Sequence, residues 1–170
     1  VLSRIEGVNG RFQTVRSDNQ KFTAIVDYAH TPDALKNVLG TIRDIQDGGG
    51  RILTVVGCGG DRDKAKRPVM AEIAAEMSDL VVLTSDNPRS EDPNAILDDM
   101  AAVVPITAQR RVLRNADRRA AIQTACQMAE PHDIVLVAGK GHETYQEIKG
   151  VRHPFDDREI LKETFNLLEQ

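Results

Sequence analysis

The sequence predicts an α/β fold: a doubly wound sheet, mostly parallel with one antiparallel strand, and helices on both faces. Three observations carry this. Short β-branched runs alternate with amphipathic stretches along the whole 170-residue chain. The runs 52–56, 80–83 and 134–138 (IVLVA) are continuously apolar, as strands covered on both faces are. The first two runs, 12–15 and 22–27, are joined by a polar turn over 17–20, too short for a parallel crossover, so the first is the antiparallel member.

Each element follows from its residues. After the second strand, Thr31 caps a helix with Pro32 at its first position and Asp33 near its positive end. Leu35, Val38, Leu39, Ile42 and Ile45 recur at helical spacing until Gly48, Gly49 and Gly50 stop the helix. A Gly-rich loop follows the strand at 52–56, then a helix over 68–77. The strand at 80–83 leads to a loop over 85–93 with two prolines, and a helix over 94–104 ends at Pro105. A short strand at 111–113, a helix over 117–129, the apolar strand at 134–138, a loop over 140–144 and a strand at 146–148 complete the body. Asp156 or Asp157 caps a last helix carrying Ile160, Leu161, Phe165 and Leu168.

Composition excludes several functions. With 22 basic and 26 acidic residues the formal charge is −4, so no nucleic-acid surface is indicated. No apolar run approaches the roughly 18 residues of a membrane span. Cys58 and Cys126 lack metal spacing, and the four histidines form no HExxH pattern, so no metal site is expected. The absence of a signal sequence predicts a reduced, cytoplasmic setting. Aromatics are 4% and Trp is absent, so the core must be aliphatic. The chain lacks an initiator Met and begins Val1-Leu2-Ser3-Arg4-Ile5, which reads as the middle of a longer sequence.

Four segments that follow strands carry chemistry, and ligands of such sheets sit beyond the strands' carboxyl ends. In the first, Asp27 suits ribose hydroxyls, whereas His30 is equally a ligand residue or a satisfied structural histidine. The second, GCGGDRDKAKR, is not GxGxxG, because Arg62 holds the third glycine's place, and no segment gives GxxxxGK[ST]. Gly57, Gly59 and Gly60 fit either a bare tight turn or an anion site, and the cluster Arg62, Lys64, Lys66 and Arg67 favours the anion. In the third, Asp86-Asn87-Pro88-Arg89 is either an Asx-turn with a solvated Arg or a fork for a carboxylate. The fourth, Gly139-Lys140-Gly141-His142-Glu143, joins glycines, cations and a carboxylate.

These segments, in this order, resemble the C-terminal domain of the Mur ligase family, specifically its diaminopimelate-adding members. DYAHTP (27–32), GCGGDRDKAKRP (57–68), DNPR (86–89) and VAGKGHE (137–143) carry the likeness, which runs from Gly10 and Arg11 to the last helix. The resemblance implies that residues 1–170 are one Rossmann-like domain of a longer protein whose N-terminal and central ATPase domains lie outside this sequence. It implies an ATP-dependent acid–amino-acid ligase of peptidoglycan synthesis, which adds meso-diaminopimelate to UDP-N-acetylmuramoyl-L-alanyl-D-glutamate through an acyl phosphate. Mg2+ and most ATP contacts would belong to the central domain, against which this one packs. By matching motifs, Arg62, Asp86, Asn87, Pro88, Arg89, Gly139 and Glu143 would hold diaminopimelate, while Arg11, Asp27 and His30 would meet ATP. No catalytic residue is implied within this domain. The alternatives are a lysine-adding or folylpolyglutamate-type ligase domain, which DNPR and GKGHE oppose, or a non-enzymatic small-molecule binding domain. Lacking a phosphate loop, this chain alone is expected to show no ligase or ATPase activity; Mg2+-dependent phosphate release above blank would refute that.

Overall fold

The computed structural model describes residues 10–46 and 49–170; the opening run 1–5 and Gly48 lie outside them. Among the described residues the order is β1 (Gln13–Val15), β2 (Thr23–Asp27), α1 (Pro32–Ile45), β3 (Ile52–Cys58), α2 (Lys66–Met77), β4 (Leu80–Ser85), α3 (Pro93–Ala101), β5 (Val112–Arg114), α4 (Arg118–Met128), β6 (Ile134–Ala138), β7 (Tyr145–Ile148), β8 (Val151–Pro154) and α5 (Asp157–Leu168). The six-stranded sheet runs β1-β2-β6-β3-β4-β5. Only β1 is antiparallel, paired to β2 with Thr14 opposite Ile25.

Alternation along the central strands divides two cores. Ile25, Ile52, Val56, Val81, Leu83 and Leu136 face α1, α2 and α3. Val26, Leu53, Val55, Val82, Val135 and Val137 face α4 and α5. This is the doubly wound arrangement that continuously apolar strands require, and it sets the carboxyl ends of β2, β6, β3 and β4 side by side.

Helix starts follow the expected capping. Thr31 Oγ1 accepts from Ala34 N, and Asp92, Asp117 and Asp156 accept from Asn94 N, Ala120 N and Arg158 N. Of the two candidates before α5, Asp156 is therefore the cap. Asp157 is fully buried and pairs with Arg118 across the sheet's end.

Several boundaries differ from the sequence-based expectation. β3 and β4 continue to Cys58 and Ser85, because parallel pairing runs on through Gly57–Thr84 and Cys58–Ser85. The helix at α2 begins two residues early, at Lys66, with no side-chain cap. The helix at α3 stops at Ala101, and Ile106–Arg111 forms a 3-10 turn ahead of β5. The largest omission is β8, whose residues are all exposed and show no apolar alternation. It forms because Lys149 (φ 50°) and Gly150 (φ 76°) both take the left-handed conformation, which makes a two-residue hairpin turn between Ile148 and Val151.

Candidate functional site

Two adjoining cavities open over the strand ends, and they gather nearly every residue singled out from the sequence. The first, about 370 Å³, is lined by Arg11, Asp27 and His30 together with the apolar Phe12, Ala29 and Val38. The second, about 300 Å³, is lined by Arg62, Asp86, Asn87, Arg89, Gly139 and Glu143. Tyr28 and His30 belong to both walls, so the two are neighbours. Of the residues that the resemblance assigns to ligands, Pro88 is the exception: it lies off both walls, and its carbonyl accepts from Glu91 N at 3.1 Å.

The first cavity is built around Asp27. Its Oδ1 accepts from Phe12 N at 2.7 Å and its Oδ2 from Ala29 N at 2.8 Å. The first of these bonds supports Phe12 in a left-handed conformation (φ 47°). Gly10, at φ 79°, passes so close to the loop after β6 that a Cβ would lie 2.5 Å from His142 N. His30 Nδ1 sits 2.9 Å from the Tyr28 carbonyl, which only accepts, so Nδ1 carries a proton. A carboxylate with spare lone pairs beside an apolar wall suits a ribose and base. Asp27→Ala in a complete ligase is expected to weaken ATP use more than amino-acid use; Michaelis constants showing the reverse would exclude that role.

The second cavity is assembled from three loops. The loop after β3 and the loop after β4 touch through glycine: a Cβ on Gly60 would fall 1.8 Å from Pro88 O. Arg89 takes a left-handed φ of 53°, held by Arg89 N donating to Glu147 O (2.9 Å) and Arg89 O accepting from Lys149 N (2.8 Å). Its Nε pairs with Glu147 at 3.0 Å and its Nη1 donates to Gly60 O at 2.9 Å. Nη2 is left without a partner among the described residues. Arg62 is exposed and, among the described residues, donates only to the Asp61 carbonyl. Gly139, at φ 116°, turns the chain beside Asp86, where a Cβ would lie 2.8 Å from Oδ2.

Arg67 and Lys64 depart from the anion-binding expectation. Arg67 is 1% exposed and is consumed by Glu91 (2.6 Å), Asp99 (2.9 Å) and the Gly59 carbonyl (3.1 Å). Lys64 lies 3.7 Å from Glu91. Only Lys66, which donates to His30 O at 2.8 Å, reaches the cavity with Arg62. The reason is helical geometry: Arg67 falls on the inner face of α2, which sequence position alone does not reveal.

The Arg67 hydrogen bond, with one from Asp61 N, holds Glu91 at about 2, well below its ordinary 4.5. A depressed carboxylate stabilises the fold above its unfolded value, and that contribution is lost as pH falls through the folded value. Glu91→Gln is thus expected to flatten the acid limb of stability between about 4.5 and 2, as read by denaturant midpoint against pH. Cys58, behind the site, has its thiol pushed up to about 12 by burial and is no nucleophile at neutral pH.

Side chains that the sequence reading left without a role complete the site. Lys140, a loop cation by sequence, is fully buried with its ammonium 2.9 Å from Asn87 Oδ1. Burial lowers its pKa, against the attraction of Asp86. Arg118, also buried, donates to Ser85 O (3.0 Å) and Ala138 O (3.2 Å), the carbonyls just before Asp86 and Gly139. No helix among the described residues is long and apolar enough to cross a membrane. No group of three or more metal-ligating side chains occurs among them either.

Comparison with known proteins identifies the architecture. The model of the Mur ligase, glutamate ligase domain matches residues 10–141. A UDP-N-acetylmuramoyl-L-alanyl-D-glutamate–2,6-diaminopimelate ligase of Cytophaga hutchinsonii is 61% identical over 98% of this chain, and that of Bacteroides fragilis 57% over 98%. The chain spans about a third of the length of these relatives, 34% in each. A solved structure of a ligase of the same name superposes with a TM-score of 0.88 at 44% identity, covering 98% of this chain and 33% of that one. A folylpolyglutamate synthase of Thermotoga maritima, at 19% identity and a TM-score of 0.57 over 78% of this chain and 28% of its own, shares the fold alone. On this family match, over a sheet and loops that carry its motifs in order, the chain belongs to the Mur ligase family as its glutamate ligase domain.

Proposed function

We propose that this domain selects the amino acid in an ATP-dependent ligase that joins meso-diaminopimelate to UDP-N-acetylmuramoyl-L-alanyl-D-glutamate. The observation that carries the reading is the polarity of the second cavity. The wall combines donors from Arg62, Arg89 and Asn87 with the carboxylates of Asp86 and Glu143. That pairing complements a carboxylate and an ammonium on one carbon, which diaminopimelate carries at its non-reacting end. Lysine offers the ammonium without the carboxylate, and a site built to hydrogen-bond a missing group rejects its absence strongly.

In this reading the domain's contribution is positioning. The cavity holds the distal zwitterion, so the other amine meets the acyl phosphate formed from the D-glutamate side chain. Arg11, Asp27 and His30 close over ATP, whose phosphates and Mg2+ belong to the central domain against which this one packs. Mg2+, when bound there, supplies charge stabilisation to the transferring phosphoryl group. The ligase works in the cytoplasm, where its nucleotide substrates are.

The test is a substrate panel on the complete ligase with ATP, Mg2+ and the UDP-linked dipeptide. Meso-diaminopimelate is expected to be favoured over lysine by about 10⁴-fold in kcat/KM. Equal use of lysine would overturn the proposal.

A further inference from the structure

The buried Lys140 rests on the loop after β6, beneath the second cavity. Its Nζ lies 2.9 Å from Asn87 Oδ1, 3.4 Å from Glu143 Oε1 and 3.7 Å from Asp86 Oδ1. An ammonium can only donate. Asn87 Oδ1 also accepts from Glu147 N–H at 2.9 Å, and that group too can only donate. These two donors fix the amide: exchanging its oxygen and nitrogen would set an NH2 group against two N–H donors inside a buried site. Asn87 is 3% exposed, lines the cavity and makes no other side-chain hydrogen bond among the described residues. Its Nδ2 is thus the unpartnered end.

We propose that Lys140 is a positioning residue for amino-acid recognition, which holds Asn87 so that its NH2 group, not its carbonyl, meets the ligand's carboxylate. This deepens the reading above and rests on it. Asn87 then adds a neutral donor to those of Arg62 and Arg89, and the wall becomes specific for an acceptor. A neutral side chain at position 140 would leave Glu147 N–H as the amide's one anchor. The site would then admit an amide turned carbonyl-outward, which repels a carboxylate.

The experiment uses the complete ligase and two substitutions. Lys140→Met keeps the length and removes every donor. It is expected to raise KM for meso-diaminopimelate by about 10- to 150-fold, the worth of a hydrogen bond to a charged group, with KM for ATP changed less than about twofold. Asn87→Asp tests the same geometry without emptying the buried lysine's place. Its carboxylate still accepts from Lys140 and Glu147 N–H but presents an acceptor to the ligand. A loss at least as large as that of Lys140→Met is expected, with the thermal midpoint maintained. An unchanged KM for the amino acid in Lys140→Met, equal changes for ATP and the amino acid, or an active Asn87→Asp enzyme would each overturn the proposal. If the unmutated ligase prefers another amino acid, the reading of the substrate fails separately. The same constants, measured on the amino acid it does accept, then decide the role of Lys140.

Discussion

Replacing Arg89 with alanine in the complete ligase is expected to lower kcat/KM for meso-diaminopimelate by about 30-fold to several thousand-fold while leaving ATP binding intact. Removing one side of a buried, hydrogen-bonded charge pair costs about 2–5 kcal/mol, and each 1.4 kcal/mol is tenfold. The geometry sharpens this. Arg89 is locked by Glu147 on its Nε and by Gly60 O on its Nη1, while Nη2 has no partner among the described residues. A guanidinium already held in place loses little entropy on binding, so its contribution to recognition is large. Alanine also strips the Glu147 carboxylate of its Arg89 partner. Glu147→Gln separates the two effects: it retains a hydrogen-bonding partner for Nε without charge and is expected to cost far less than Arg89→Ala. Unchanged diaminopimelate kinetics in Arg89→Ala would show Arg89 to be a loop residue only.

Asp157→Ala is expected to lower the chain's thermal midpoint by about 6–20 °C. The Arg118–Asp157 pair is fully buried on both sides, with contacts of 2.9 and 2.7 Å. Breaking such a pair from one side leaves an uncompensated charge and costs about 3–5 kcal/mol. In a domain of this size each kcal/mol is worth about 2–4 °C. The neighbouring Asp156 provides the contrast. It caps α5 and pairs with Arg158 in a part-buried place, so Asp156→Ala should cost about 1 kcal/mol and a few degrees. Equal shifts in the two variants, read by calorimetry, would contradict the assignment of cap and buried partner. Because Arg118 donates to the carbonyls of Ser85 and Ala138, its loosening should also spread the loops on which Asp86 and Gly139 sit.

The alternation of apolar runs with amphipathic helices by itself determined the doubly wound sheet, its antiparallel first strand and the helix starts at Thr31 and Asp117, whereas the cap at Asp92, and the choice of Asp156 over Asp157, came from the structure. The former depend on short-range periodicity and capping, which neighbouring residues encode. The motif segments likewise determined which loops meet, because strands of a parallel sheet deliver their carboxyl-terminal loops to one edge. Only the tertiary structure decided what each charge faces. Arg62 and Arg67 stand five positions apart in one basic run, yet one is exposed at the cavity and the other is buried against Glu91 and Asp99. Lys140 and Asn87 are 53 positions apart, and Arg118 and Asp157 are 39 apart. The hairpin at β8, wholly exposed, also depends on two left-handed turn residues rather than on an apolar pattern. Burial and ion pairing between distant segments arise when helices pack on the sheet, so no local pattern contains them. A charged residue in a loop reads the same from sequence whether it awaits a ligand or already holds a neighbouring strand in place.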